Sequence, residues 1–213
     1  MRLPSIKLVK SWLKEGYKQN PGLWVKHSEL VGNAAKSIAT QINDLDPNQV
    51  YLMGLIHDIG RKFGVTQDRH SIDGYNFLKS QGYEELGRIC ITHCFPNKNI
   101  NANVGIWDCK KEELNFIENF LINCHYDDYD RLIQLCDCIS AEDKYILIEK
   151  RIVDVVLRYN LKNQIPIGIP LLEKWQKFLD IKDYFDKVIG KSIYRLLPNV
   201  VENTFGLGNS NSI

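Results

Sequence analysis

Apolar residues recur along most of the chain with the three- and four-residue spacing of amphipathic helices, and this spacing predicts an all-α fold. Clusters of Gly, Pro and Asn, such as Asn20, Pro21 and Gly22, separate the periodic segments. No segment shows the alternation expected of a strand, and no internal repeat is present. The predicted helices cover residues 5–17, 23–42, 47–60, 70–82, 86–95, 111–123, 129–141, 142–159, 171–178 and 182–196.

The third predicted helix is almost wholly apolar until it reaches His57 and Asp58, which are adjacent in the sequence. Asp46 and Pro47 are suited to begin this helix as N-cap and first helical residue, and Gly60 is suited to end it as a left-handed C-cap. Neighbouring residues in a regular helix point about 100° apart. Because that constraint loosens at a helix end, both side chains can turn toward one ion.

Other polar residues also interrupt apolar faces. His27 lies three residues after Trp24 and four before Val31, so it shares their inward face. An unpartnered polar group out of water costs roughly 2–7 kcal/mol, which a metal ion, a salt bridge or a backbone hydrogen bond can offset. The mixture of imidazole and carboxylate suits a divalent transition metal such as Fe, Mn, Co, Ni or Zn. The full set is His27, His57, Asp58, His93 and Asp137, with His70 at a helix start.

Length and composition fit one domain with a single core. The chain has 213 residues, of which 44% are hydrophobic and 25% charged, as in ordinary globular proteins. We interpret residues 1–22 as an N-terminal helix packed on a core formed by residues 23–160. Residues 161–205 form a helical extension of the same domain, and the Gly-, Ser- and Asn-rich residues 206–213 are predicted to be disordered. Residues 96–110 are predicted to be a loop suited to cover a site.

Charge and hydropathy exclude several classes of function. The formal net charge is +1, and the basic residues are spread along the chain, which argues against a polynucleotide as the main partner. No apolar run approaches the ~20 residues that a membrane span needs, and the first residues lack a signal-peptide core. We therefore expect a cytoplasmic protein with no membrane partner, whose six cysteines are reduced. The acids Asp127, Asp128 and Asp130 are interpreted as a polar patch without a special role.

The order of these residues resembles a known signature. His27, then the pair His57 and Asp58, then Asp137 is similar to the signature of the HD-domain superfamily of metal-dependent phosphohydrolases. Residues 57–60 read HDIG, which is identical to one form of that motif. The resemblance covers roughly residues 24–159, about two thirds of the chain. It implies an HD-type helical bundle.

The resemblance also implies a ligand set and a reaction. His27, His57, Asp58 and Asp137 would bind one metal ion. His70 and His93 occupy the positions at which some members hold a second ion bridged by Asp58, so we expect two divalent ions of the types named above, with Mg as an alternative. Such ions activate water for attack on a phosphate ester or anhydride. The expected substrate is a small nucleotide, either a dinucleoside polyphosphate or a nucleoside monophosphate.

Two basic residues follow the motif and are candidates for substrate contact. Arg61 lies one turn past Asp58, where its planar guanidinium can meet a phosphate, and we assign it a catalytic role beside Asp58. Its alternative interpretation is a surface arginine or a helix C-cap. Lys62 is a second candidate for substrate binding, with a solvated surface charge as the alternative. The apolar final helices leave open whether two chains form a homodimer.

Other interpretations of the same residues remain. Cys90, Cys94 and Cys124, together with His93 and His125, suggest a structural zinc site, although the short paired-cysteine spacing is missing. No cysteine lies at an evident helix N-terminus beside a base, which argues against a cysteine nucleophile. A non-catalytic HD-type module that senses or binds nucleotides around a structural metal is the alternative function. A purely structural helical adaptor would be indifferent to chelators.

Overall fold

A computed structural model describes residues 1–104, 107–161 and 167–206. Within these ranges the chain forms ten α-helices and one two-stranded hairpin, which confirms the predicted all-α fold. The helices are α1 (Ile6–Gln19), α2 (Trp24–Ala39), α3 (Pro47–Ile56), α4 (His70–Ser80), α5 (Glu84–Thr92), α6 (Lys111–Asn123), α7 (Asp128–Ile139), α8 (Ile148–Val155), α9 (Ile169–Ile189) and α10 (Val200–Phe205). Short 3₁₀ helices cover Ile59–Phe63, Ile100–Ala102 and Ile193–Leu196, and a π-helical turn, Val156–Leu161, follows α8.

The sequence prediction differs from the structure near residue 142 and near the C-terminus. Strands β1 (Ser140–Ala141) and β2 (Lys144–Tyr145) form an antiparallel hairpin where the prediction places a helix start. Glu142 in its turn has a φ of 31°, which no α-helix accommodates. The two predicted C-terminal helices are instead the single helix α9 followed by a 3₁₀ turn, and α10 was not predicted. The predicted disordered tail was residues 206–213, of which Gly206 ends α10 and residues 207–213 lie outside the described residues.

One continuous core joins the helices. Helices α2 and α3 pack closely, and a Cβ atom added to Gly54 would lie 2.5 Å from the Cα of Gly32. Only glycine at these positions allows the two backbones to approach so closely. Helix α7 contacts α2, α3, α5, α8 and α9, and buried side chains from α1 to α10 belong to the same hydrophobic cluster. Because α7 is central, a side chain on it can meet residues from distant parts of the chain.

Gly60 has a different role from the predicted C-cap. Helix α3 ends at Ile56, and Gly60 lies inside the following 3₁₀ helix, Ile59–Phe63, without a positive φ. A Cβ atom at Gly60 would lie 1.9 Å from the carbonyl oxygen of His70. The glycine therefore lets the first turn of α4 press against the turn after α3, which brings His70 beside Asp58.

The described ranges contain no helix with the length and hydropathy of a membrane span. The longest, α9, has 21 residues but carries exposed charged side chains, such as Lys177 and Asp183. None of the six cysteines is paired with another, and Cys90, Cys136 and Cys138 are buried. Reduced thiols are therefore part of the packing and not a covalent framework.

Candidate metal centre

The six predicted ligands come together beside one cavity, which all of them except the buried His57 line. His27 comes from α2 and Asp137 from α7, whereas the other four lie at helix ends. His57 and Asp58 follow α3, His70 begins α4 and His93 follows α5. Helix ends free these side chains from the fixed angular spacing of a helix, so adjacent residues can face one centre.

The first group of donors surrounds the carboxylate of Asp137. Its Oδ1 lies 2.9 Å from His27 Nε2 and 3.6 Å from His57 Nε2. His57 Nε2 in turn lies 3.9 Å from Oδ2 of Asp58. One donor atom from each of His27, His57 and Asp58 lies within 4.8 Å of the other two, so a single metal ion could bind all three.

The second group surrounds the other oxygen of Asp58. Its Oδ1 lies 3.1 Å from His70 Nε2 and 3.7 Å from His93 Nε2, and the two imidazole nitrogens are 3.4 Å apart. Asp58 thus presents Oδ1 to His70 and His93 and Oδ2 to His57. Its carboxylate lies between the two groups of donors.

Backbone carbonyls fix the tautomer of three histidines. His57 Nδ1 donates to Gly54 O at 2.7 Å, His93 Nδ1 donates to Ile89 O at 3.0 Å, and His70 Nδ1 donates to Gln67 O. An imidazole whose single proton is held at Nδ1 has its lone pair on Nε2. Burial opposes a charge on His57, but Asp58 and Asp137 outweigh burial and raise the pKa of His57. In all three cases Nε2 is the nitrogen that faces the centre, which is the arrangement typical of metal-ligating histidines.

Two buried atoms at this point have no hydrogen-bond partner among the described residues: His57 Nε2 and Asp58 Oδ1. His70 Nε2 is close to Asp58 Oδ1, but the two do not meet with hydrogen-bond geometry. Asp58 Oδ1 is an electron-pair donor, and so is His57 Nε2 when its imidazole is neutral. Because such atoms are rarely left unsatisfied in a folded protein, the residues present fit a bound cation.

The electrostatics also suit a cation. Burial and the neighbouring His57 lower the pKa of His93 to about 3, so this imidazole is neutral and its lone pair available. Burial alone would raise the pKa of Asp58, but the charges of Arg61 and His70 outweigh it and hold that pKa well below its ordinary value. Burial is likewise outweighed at Asp137, whose pKa is lowered by His27 and His57. Both carboxylates are therefore ionised.

A family model of the HD domain matches residues 24–155, which is more than half of the chain and includes helices α2 to α8. The chain belongs to the HD domain family. This match confirms the resemblance seen in the sequence and the assignment of the fold to a helical HD domain.

Two solved structures also resemble the chain. Both are described as the HD domain of the phosphodiesterase PgpH of L. monocytogenes, one of them in complex with cyclic-di-AMP. Each is 18% identical and covers 84% of this chain, with 95% and 94% of the neighbour covered and TM-scores of 0.41 and 0.39. Similarity at this level carries no argument about substrate. No curated protein matches the chain.

The two basic residues after the HD motif lie in different places. Arg61 lines the cavity, where its Nε donates to Asp58 Oδ2 at 2.6 Å. Lys62 is 4% exposed and lies away from the cavity, with its ammonium over the ring of Phe77 and 3.7 Å from Glu15. The predicted contact of Lys62 with substrate therefore does not fit the structure. Adjacent residues on a 3₁₀ turn point about a third of a turn apart, so both cannot face the same cavity.

The alternative zinc site is not assembled. Cys90 donates to the carbonyl of Ile56, and Cys124 belongs to no group of described residues that could hold a metal ion. Cys94 alone approaches the HD centre, with its sulfur 3.1 Å from His93 Nε2 and 3.7 Å from His70 Nε2. Burial raises the pKa of the Cys94 thiol well above its ordinary value. One donor atom from each of His70, His93 and Cys94 lies within 4.8 Å of the other two, so the sulfur belongs to a group that could hold a metal ion.

The cavity in front of the HD centre has a volume of about 410 Å³, at the lower end of the range of roughly 300–1,000 Å³ that holds drug-sized ligands. Its wall includes Arg151 from α8 and Lys174 from α9, neither of which we identified from the sequence. The signal was present, because Arg151 follows the buried Ile148 by three residues and precedes the buried Val155 by four. The same spacing placed His27 on an inward face.

The predicted loop over residues 96–110 lies at the same side of the molecule. Val104 lines the cavity, and Asn97 Nδ2 donates to the carbonyl of Pro170 at the start of α9 with a distance of 3.2 Å. The loop contains the 3₁₀ helix Ile100–Ala102, which also contacts α9. Residues 105–106 lie outside the described ranges. The described part of the loop is thus tied to the helix that forms the far wall.

Proposed function

We propose that this HD domain is a metal-dependent phosphohydrolase that acts on a small nucleotide or a related phosphate ester or anhydride. The observation that carries the proposal is the meeting of four imidazoles and two ionised carboxylates at the end of a cavity, with His57 Nε2 and Asp58 Oδ1 unsatisfied. Donors of this type suit Fe, Mn, Co, Ni or Zn better than Mg, which prefers oxygen ligands.

The donors divide into two overlapping sets. His27, His57, Asp58 and Asp137 would hold one ion, and His70 and His93 would hold a second with Asp58 shared between them. The placement of the two Asp58 oxygens toward different histidines supports this division. Bound ions of this type lower the pKa of a coordinated water and so supply a nucleophile near neutral pH.

The protein would contribute orientation and charge. The Nδ1–H bonds to backbone carbonyls hold the imidazoles with Nε2 toward the centre, so no reorientation is needed during the reaction. Arg61 would bind the phosphate, since its Nε is held by Asp58 and its Nη1 lies 3.4 Å from Thr66 O, which leaves further N–H groups of the guanidinium at the cavity. A guanidinium fixed by a carboxylate is already oriented for a second anion.

Metal analysis combined with a substrate panel tests the proposal. We expect purified protein to contain a transition metal and to release phosphate or nucleotide from diadenosine tetraphosphate, from nucleoside monophosphates, or from both. Asp58→Ala should remove activity, and the matched control Asp183→Ala, which removes an exposed carboxylate on α9, should not. Equal activity of the wild type and Asp58→Ala on every compound would refute the proposal that the protein is a hydrolase.

A nucleotide-sensing module is the competing function, and the same proteins distinguish it. A sensor would show a higher melting temperature with nucleotide present but would form no product, because a ligand that binds only the folded state stabilises it without turnover. Phosphate release that stops on addition of a chelator would instead support the hydrolase.

A further inference from the structure

We propose that Arg151 and Lys174 form a second anion site in the HD cavity, and that the substrate therefore carries at least two phosphate groups. One phosphate would be attacked at the metal centre, and another would bind these two cations. This inference rests on the proposed function and narrows its substrate class from any phosphate ester to nucleotides with a di- or polyphosphate chain.

Lys174 is the first observation. It lines the cavity although only 8% of its surface is exposed, and its ammonium pairs with no carboxylate of the described residues. Its recorded contact is the face of the Phe95 ring, with 5.7 Å from Nζ to the ring centroid. A ring face offsets only part of the cost of taking an ammonium out of water. An anion in the cavity would offset the rest.

Arg151 is the second observation. It also lines the cavity and is partly buried, and its guanidinium has no carboxylate partner in the described part of the chain. It comes from α8, whereas Lys174 comes from α9, yet both side chains line the same cavity. Two cations from different helices thus approach one place.

The other charged side chains of the cavity wall have an ion-pair or hydrogen-bond partner. Glu142 faces Arg158 at 3.8 Å, and Asp68 accepts a hydrogen bond from Asn103 Nδ2 at 3.3 Å. The remaining cation near the metal centre, Arg61, is held by Asp58, as described above. Among the wall residues of the cavity that the structure describes, Arg151 and Lys174 stand apart as cations without a carboxylate.

The position of the two cations decides which part of a substrate they would meet. Arg151 and Lys174 line the same cavity as Asp58 and Asp137, the carboxylates of the candidate metal centre. The wall near them includes the rings of Trp24, Trp175 and Phe178, which suit contact with a nucleobase. A substrate that spans these features carries a scissile phosphate, a second phosphate and a ring.

Two methionine variants test the inference, because methionine keeps the apolar stem and removes the charge. We expect Arg151→Met and Lys174→Met each to raise KM for diadenosine tetraphosphate about tenfold, as loss of one charge-assisted hydrogen bond would. For p-nitrophenyl phosphate, which has one phosphate, the kcat/KM of each variant should differ from that of the wild type by less than about twofold. The matched controls Lys150→Met on α8 and Lys177→Met on α9 should affect neither, since their side chains do not line the cavity.

The charge-preserving variant Lys174→Arg should restore most of the loss, which a packing defect would not permit. An equal effect of Lys174→Met on both compounds, or no effect on either, overturns the inference. Circular dichroism melting of each variant checks that the fold is retained.

Measurements of nucleotide binding can test the second anion site even if the proposed hydrolase activity is absent. If no compound is hydrolysed by the wild type, titration calorimetry with ADP and with adenosine decides the matter. ADP binding that is tighter than adenosine binding in the wild type, and that weakens about tenfold in Arg151→Met and Lys174→Met but not in the controls, supports the second anion site without catalysis. Equal binding of ADP by all five proteins refutes it.

Discussion

Helices α5 and α7 carry two buried polar clusters that are satisfied in opposite ways. In the first, Asp130 is 1% exposed and accepts hydrogen bonds from Thr92 Oγ1 at 2.8 Å, from the backbone N–H of Asp127 at 3.0 Å, and from the guanidinium of Arg88. Burial outweighs Arg88 and raises the pKa of Asp130 to about 6, so the carboxylate is still ionised at neutral pH. The chain supplies every partner this carboxylate needs.

The second cluster is the candidate metal centre, which lies about two helical turns further along α7. Arg61 Nε donates to Asp58 Oδ2, and His27 Nε2 is hydrogen-bonded to Asp137 Oδ1. His57 Nε2 and Asp58 Oδ1 nevertheless lack a partner among the described residues. The described part of the chain satisfies one oxygen of Asp58 and leaves these two buried atoms open to a cation. The comparison teaches that burial of an aspartate does not identify a site. What identifies it is the presence of buried polar atoms that the described residues leave without a partner.

The largest expected difference between the clusters lies in metal content and activity. Asp58→Ala removes the carboxylate that faces both groups of histidines. Because changes to residues that only support ligands cost 10–100-fold in metal affinity or activity, we expect a loss of at least about a hundredfold in both. Metal analysis by mass spectrometry and phosphate release measure this. Retention of full metal content in Asp58→Ala would place the ion elsewhere.

Asp130→Ala should lower stability but leave the metal content unchanged. It leaves Arg88 partly buried without its carboxylate, and we expect the free energy of unfolding to fall by about 3 kcal/mol. Urea unfolding followed by circular dichroism measures the loss. Metal content per folded molecule should equal that of the wild type, and a loss of metal comparable to that of Asp58→Ala would show that the two clusters are not independent.

In the metal-free protein, the neutral, buried His93 should make the free energy of unfolding depend on pH. In the folded state the pKa of His93 is about 3, below its ordinary value of 6.5, so only the unfolded chain takes up this proton between those values. Stability is therefore lost as pH falls below 6.5. We expect the wild type in chelator to lose about 2 kcal/mol more between pH 7 and pH 5 than His93→Gln does, at about 1.4 kcal/mol for each pKa unit. Equal losses would contradict the assignment of a neutral, buried His93.

We expect the smallest loss of stability for Thr92→Val. This variant tests the separation of the two clusters most closely, because Thr92 is adjacent to the candidate ligand His93. The change removes one hydrogen bond to Asp130 with little change of shape, so we expect a loss of about 1 kcal/mol in the free energy of unfolding. Metal content and activity should be unchanged. A measurable loss of metal would mean that the end of α5 moves as one unit and that Thr92 also positions the neighbouring ligand.

Sequence reasoning recovered the helices and the candidate ligands for the same reason. Periodicity reports which residues face inward, so His27 and Asp137 could be recognised as polar residues among apolar ones. The same reasoning failed at Asp130, which was interpreted as part of a polar patch and is buried. Its neighbours Asp127 and Asp128 are polar, and nothing local reveals that Arg88 lies across from it.

The failures at Gly60 and Lys62 have a related cause. A glycine after a histidine–aspartate pair suggests a left-handed cap, whereas its actual requirement is the approach of the His70 carbonyl from another helix. Lys62 was grouped with Arg61 because the two are adjacent, but the path of the 3₁₀ turn sends them to different surfaces. Both errors concern direction, which a one-dimensional pattern does not contain.

By itself the sequence determined that the chain is helical, that it belongs with HD domains, and that six polar side chains need partners in an apolar interior. Those conclusions depend on residue type and spacing, which act locally. Only the tertiary structure decided that the six meet at one point, that Asp58 divides its oxygens between two sets of histidines, and that Arg151 and Lys174 approach the same cavity from separate helices. Distances between residues far apart in the chain depend on how all the helices pack together, and no local pattern carries that information.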